Sequence, residues 1–327
     1  WLVGEHERHG MEGKWLGETF GWAYAGDAVV AIVAGQLATL AARHAGPSGP
    51  CLLSIVFLAA GASVALWKWD ENTAAAVAQS APPAPQIFPV ESTDLSHTPI
   101  LDAEIVKASP TQVPRRPSMK SAVTAMLADR KILLLGAVQA LFEGAMYIFV
   151  LQWPVLLKAA ISSSSFGADA SVPYGGVFSC FMASCLLGST MFGSLQRSGV
   201  ATEKSAVFML TMSAAALSTA TYIGSSSLVG LTAALFLFEA CVGMYFPSIG
   251  SLRSKYLPDQ HRSVMMNLFG IPLNLIVVSI VLGMKKLGTK GALSIASAAL
   301  GCAAICMGTL YALADKEGKQ MKEEMKA

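Results

Sequence analysis

Charge is what this 327-residue sequence has least of: 13% of its residues are Asp, Glu, Lys or Arg, 54% are hydrophobic, and mean hydropathy is +0.53. A water-soluble domain carries about 25% charged residues, so the composition excludes one and points to a bilayer. Paired metal or disulfide spacing is also missing. The six cysteines (Cys51, Cys180, Cys185, Cys241, Cys302 and Cys306) form no CxxC pair, have no histidine at ligand spacing and all fall in apolar runs. They read as small packing residues between helices. There is no GxSxG, HExxH or Walker loop, so neither an enzyme nor a resident cofactor or metal is expected. The net charge of +2 says little, because the charges are segregated along the chain; no nucleic-acid partner is expected. Trp1 stands where an initiator Met would, with no signal segment, and the expectation is a chain without its natural N-terminus.

What is present is a series of apolar runs. Eight of them approach the roughly 20 residues that a membrane-crossing helix needs. They are predicted at 15–42, 51–67, 132–157, 174–195, 205–224, 228–250, 264–284 and 291–314, with Trp15, Trp67, Trp69 and Trp153 as interfacial aromatics near their ends. The fold class expected is an all-α membrane protein. A hydrophilic stretch separates the second span from the third. Residues 68–131 contain QSAPPAPQ and SPTQVPRRPS and read as a mostly disordered linker. Its basic end (Arg115, Arg116, Lys120, Arg130, Lys131) suits an anionic inner leaflet, and Ser118 after Arg-Arg-Pro is either a phosphorylation site or part of a plain basic patch. Placing the linker inside puts 18 Lys and Arg inside and 5 outside; without the linker the bias is still 11 to 5. By the positive-inside rule, linker and C-terminal tail (315–327) are expected to be cytoplasmic.

Ionisable groups inside spans carry the functional signal, because a mid-membrane acid costs about 2.5–3.5 kcal/mol unless it faces a cavity or a partner. Asp27, Glu143 and Glu239 each lie near the middle of a span, whereas the second, fifth and eighth predicted spans contain no acid. Gln139, Glu143 and Tyr147, spaced by four, share a helical face and form a polar stripe. Asn267 and Asn274 share a face of the seventh span. All are candidates for a substrate or proton pathway, and interhelical hydrogen bonding is the competing explanation for each. In the fourth span Gly176, Cys180, Ser184 and Gly188 make a small-xxx-small stripe, which predicts close helix packing. Pro154, Pro247 and Pro272 lie within or near span ends and are expected to bend their helices.

FEACVGMYFPSIGSLRSKYLPDQHRSVMMNLFGIPLN at 238–274, LFEGAMYIFVLQWPVL at 141–156 and WLVGEH…WLGETF at 1–20 together resemble the molybdate-anion transporter branch of the major facilitator superfamily. The charged link EHERHGMEGK before the first span echoes RSKYLPDQHR before the seventh, as parallel repeats would. The resemblance implies a partial major facilitator fold, about 8 of 12 helices: 1–67 ending one bundle, 132–314 forming the C-terminal six-helix bundle. It also implies that the second, fifth and eighth spans face lipid and that transport proceeds by alternating access between the two bundles. GSLQR at 193–197 is similar to the superfamily's loop signature Gly-x-Leu-Ala-Asp-Arg, with Gln196 where the acid stands. Arg197, Arg253, Lys255 and Arg262 are then candidates for gating in cytoplasmic loops.

An oxyanion such as molybdate asks for Arg, Lys or helix N-termini, and the predicted spans embed no cation. The expectation is therefore that Glu143 or Glu239 carries a proton in the loaded state and that the cationic anchor lies outside this sequence. The absence of embedded cations equally suits a sugar or organic-solute carrier. A scaffold or sensor that transports nothing is a third reading, which the mid-membrane acids oppose. The expected location is the plasma membrane, with protons a candidate coupling ion.

Overall fold

The computed structural model describes residues 6, 9, 14–69, 119–164, 172–224, 226–258 and 260–324. Among these there is helix and no strand, which is what a bilayer demands: with no water to bond to, each backbone N–H and C=O must be satisfied within its own segment. The elements are α1 (Lys14–Ala45), a 3-10 turn (Gly46–Ser48), α2 (Gly49–Lys68), α3 (Met119–Ala128), α4 (Arg130–Ser162), α5 (Tyr174–Arg197), α6 (Thr202–Ile223), α7 (Leu228–Tyr256) and α8 (Arg262–Glu324). Gly288, at φ 62° and ψ 177°, breaks α8 into two limbs. Counting those limbs separately, eight helices among the described residues are long and apolar enough to cross a membrane.

Local chemistry sets the ends. The Asp129 carboxylate accepts from the Lys131 amide at 2.8 Å and starts α4. Ser227 caps α7 by accepting from the Gly230 amide at 3.2 Å. Gly199 (φ 74°) and Gly224 (φ 49°) end α5 and α6 in conformations that L side chains avoid. Pro258 holds Leu257 extended (φ −92°, ψ 127°), so α7 continues past its basic residues and stops only there.

Several expectations change. The sixth span does not end at 250: Arg253 and Lys255 belong to helix α7, not to a loop. The fifth span begins at Thr202 and so includes an acid, Glu203. Within the expected linker, 119–128 is helix α3 and Arg130 already opens α4; residues 70–118, with Arg115, Arg116 and Ser118, lie outside the described residues. The tail is helical as far as Glu324. Trp15, Trp67 and Trp69 are exposed, but Trp153 packs edge-on against Tyr174 and Phe181 of α5.

The buried core is shared by α4 to α8, and its aromatic centre lies between α4 and α7. Phe142 stacks on Tyr245 with centroids 3.9 Å apart, and Phe149 meets Phe238 at 4.6 Å. The first limb of α8 closes on α4, where Gly136 faces the Phe269 ring and Gly144 faces Ile276. The second limb meets α6 through Ser218 and Ser297, whose hydroxyls are 2.5 Å apart. Helix α5 sits between α1 and α7, so its small residues divide between two faces. Gly175 and Ser179 face α1, where the Gln36 amide donates to the Ser179 hydroxyl at 2.8 Å. Cys185 and Gly188 face α7, with Gly188 against the Ala240 carbonyl and Gly243 against that of Cys185. Of the expected stripe Gly176, Cys180, Ser184 and Gly188, only Gly188 makes a close backbone approach, and Cys180 is exposed.

Candidate functional site

Helices α4 and α7 each present residues four apart on the face toward the other: Gln139 and Glu143 on α4, Tyr245, Ile249 and Arg253 on α7. The two rows meet. Arg253 donates from Nη2 to Glu143 Oε1 at 3.1 Å and from Nε to Gln139 Oε1 at 3.1 Å. The Tyr245 hydroxyl donates to the same Glu143 oxygen at 3.0 Å. Arg253 and Glu143 are 18% and 19% exposed, so the pair is largely withdrawn from solvent yet reachable. Tyr24 of α1 lies within electrostatic range of Arg253, Glu143 and Asp27, and its ring stacks on Phe246 with centroids 5.5 Å apart. The site thus sits where α1 crosses the α4–α7 pair. The expectation of no embedded cation is corrected here: a guanidinium reaches into the bundle and bonds the acid that the sequence singled out.

The other candidates separate. Glu239 is 6% exposed and faces α5, where the Cys185 thiol donates to its Oε2 at 3.1 Å. Asp27, Asn267, Asn274 and Tyr147 are exposed, and the Asn274 amide donates to Gly270 O of its own helix at 2.8 Å. Glu143 and Glu239 therefore have different partners, from α7 and α5 respectively. Four contributors escaped the sequence reading: Tyr245, Cys185, Glu18 and Glu203. The four-residue spacing of Tyr245, Ile249 and Arg253 was the available signal for Tyr245.

The basic end of the bundle carries a second set of pairs. Glu203, almost fully buried, accepts from Lys255 Nζ and from the Tyr256 hydroxyl, both at 2.6 Å, tying α6 to α7. Lys131 pairs with Glu317 at 2.6 Å and ties α4 to α8. Arg262 donates to Ser254 O at 3.4 Å, a long contact. Arg197, whose motif neighbour is Gln196 rather than an acid, pairs with Glu18 of α1 at 3.2 Å. This last pair links α1 to α5 and is half exposed, so it is worth at most about 1 kcal/mol. Reversing Glu18 to Arg is expected to cost about 1 kcal/mol of stability in detergent, with Arg197→Glu in the same chain restoring it; failure of the double reversal to recover would remove the pair as a link between α1 and α5.

At the other end of α5, a cavity of about 670 Å³ is lined by Ile32, Gln36, Ser179, Cys180, Thr232 and Phe236, and is almost wholly apolar. No group of three or more His, Cys, Asp or Glu side chains among the described residues could hold a metal. What the α4–α7 site offers chemically is a forked cation with a carboxylate, an amide oxygen and a phenol around it, which is a setting for a charged or strongly polar solute.

Comparison with known proteins agrees with this architecture. The chain is 27% identical to the molybdate-anion transporter of Xenopus tropicalis over 96% of its own length and 62% of that protein's. To the proteins of the same name from Takifugu rubripes and Danio rerio it is 30% and 29% identical, over 84% of its length and 55% and 54% of theirs. The chain thus spans little more than half the length of these relatives. The profile of a transporter family described as sugar transporters with 12 transmembrane helices matches residues 1–86 and 106–242. Eight helices among the described residues that are long and apolar enough to cross a membrane, and that match across most of the sequence, place it: the chain belongs to the major facilitator superfamily, a superfamily of transporters.

Proposed function

We propose that this protein is a secondary active transporter of molybdate or a similar tetrahedral oxyanion, working by alternating access. The observation that carries the reading is Arg253 inside the helical bundle, bonded to Glu143 and Gln139 and level with the Tyr245 hydroxyl. A guanidinium fork matches the paired oxygens of a tetrahedral dianion better than an ammonium does, and the name shared by the relatives points to the same substrate class. In this reading Gln139, Glu143, Tyr245 and Arg253 line the path, Asp27 and Tyr24 face it from α1, and Glu239 is a second proton-carrying candidate. The 18-to-5 distribution of Lys and Arg supports an orientation with linker and C-terminal tail in the cytoplasm, and the plasma membrane is the location that goes with this reading.

The family's description favours a second reading, a sugar carrier. Uptake of labelled molybdate by cells expressing the full chain separates the two. Tungstate in about tenfold excess should suppress uptake nearly completely, as a same-site competitor does, while glucose and other neutral sugars leave it unchanged. Suppression by sugars and not by tungstate would replace the oxyanion reading with the sugar one.

A further inference from the structure

Glu143 already occupies the cation that an oxyanion would need. One carboxylate oxygen takes both the Arg253 Nη2 proton and the Tyr245 hydroxyl proton, and Gln139 takes the Nε proton. A tetrahedral dianion and the Glu143 carboxylate are both acceptor-only groups seeking the same donors. They compete for the Nη2 and Tyr245 protons, and although the guanidinium keeps three further N–H donors, using those would crowd a dianion and a carboxylate around a single cation. The groups that face the carboxylate are Arg253 and Tyr245 of α7 and Tyr24 of α1, the last also within electrostatic range of the acid Asp27. From α8 the neighbours on this side of α4 are Phe269 and Ile276, which meet Gly136 and Gly144. Helix α3 packs at the start of α4, nine residues or more before Gln139.

We propose that Glu143 is a displaceable counter-ion that determines both the charge selectivity and the proton stoichiometry of the site. In the empty state it neutralises Arg253 and satisfies the Tyr245 hydroxyl. An entering dianion takes over both donors, and Glu143, pushed off, binds one proton from solution; the Glu143 O–H bond forms and no other covalent bond changes. A monoanion gains less at the guanidinium than the carboxylate it must evict, and is refused. This inference rests on Arg253 being the anion anchor and adds what happens to its partner. Because binding takes up a proton, affinity is highest at low pH and falls as pH rises.

The test is molybdate binding to the purified full chain by titration calorimetry in buffers of different ionisation enthalpy, between about pH 6 and about pH 8.5. The wild-type protein should take up close to one proton per molybdate over part of that range and lose affinity as pH rises. Glu143→Gln should bind at least ~10-fold tighter at the alkaline end, with no proton uptake, a flat pH profile and competition by nitrate that the wild type does not show. A wild type that takes up no proton overturns the inference whether or not the variant folds, as does a Glu143→Gln protein that keeps the wild-type pH profile and selectivity. Wild-type binding surviving in Arg253→Ala would instead sink the anchor itself, which is a separate result.

Discussion

Molybdate uptake is expected to vanish when Arg253 becomes alanine, and binding to weaken at least ~30-fold, because truncating one member of a buried hydrogen-bonded charge pair costs about 2–5 kcal/mol. Two losses are combined in that figure. The anion loses its fork, and Glu143 is left beside Tyr245 with its cation gone. Two further variants separate them. Arg253→Lys keeps the charge but has no planar pair of donors, and should retain weak uptake. Arg253→Ala combined with Glu143→Gln removes the orphaned carboxylate; it should recover the thermal stability of the wild type in detergent while uptake stays absent. Uptake within twofold of wild type in Arg253→Ala would show that the anion is held elsewhere.

Gly188→Val should be the most damaging single change to the fold. Its Cα side lies against the Ala240 carbonyl, and Gly243 lies in the same way against the Cys185 carbonyl, so α5 and α7 touch backbone to backbone. In a membrane, helices gain little from hiding apolar surface and associate through such close packing. A branched side chain has no space to enter and no flexible neighbour to push aside, so the helices must part. The cost is expected to be ~3 kcal/mol or more, the upper range for overpacking. Separating α5 from α7 also pulls Cys185 away from Glu239. Fluorescence-detected size exclusion after heating should show the variant losing its monodisperse peak at markedly lower temperature than the wild type. Gly301→Val is the control, since a Cβ there meets no heavy atom within 4 Å; equal loss in both would remove the packing explanation.

The helices were legible because the bilayer makes hydropathy and length nearly sufficient, and the observed spans differ from the predicted ones by a few residues at most ends. One of those differences decided the chemistry. Basic residues at the end of an apolar run suggest a loop, yet SLRSKY contains nothing that stops a helix, and α7 runs on to Tyr256, where Pro258 holds the next residue extended. Three residues of extra helix turned Arg253 from a surface cation into the partner of Glu143. Glu203 was missed for the mirror-image reason, a helix start placed after its first turn, although an acid next to Thr202 suits the positive end of a helix dipole. Gln139, Glu143 and Tyr147 stand four apart on α4, but spacing cannot say which members are covered: α7 takes the first two and leaves Tyr147 exposed. Nor could it pair Glu239 with Cys185, because contact between helices is a tertiary fact that no single helix encodes.

Tungstate, a heavy and isosteric stand-in for molybdate, allows the anchor to be located directly by electron cryomicroscopy of the loaded full chain. The tungsten density should lie about 4 Å from the Arg253 guanidinium carbon, the distance that paired N–H to oxygen bonds impose, with the Glu143 side chain turned away. Density in the apolar cavity between Gln36 and Phe236, with the Arg253–Glu143 pair still closed, would contradict the account.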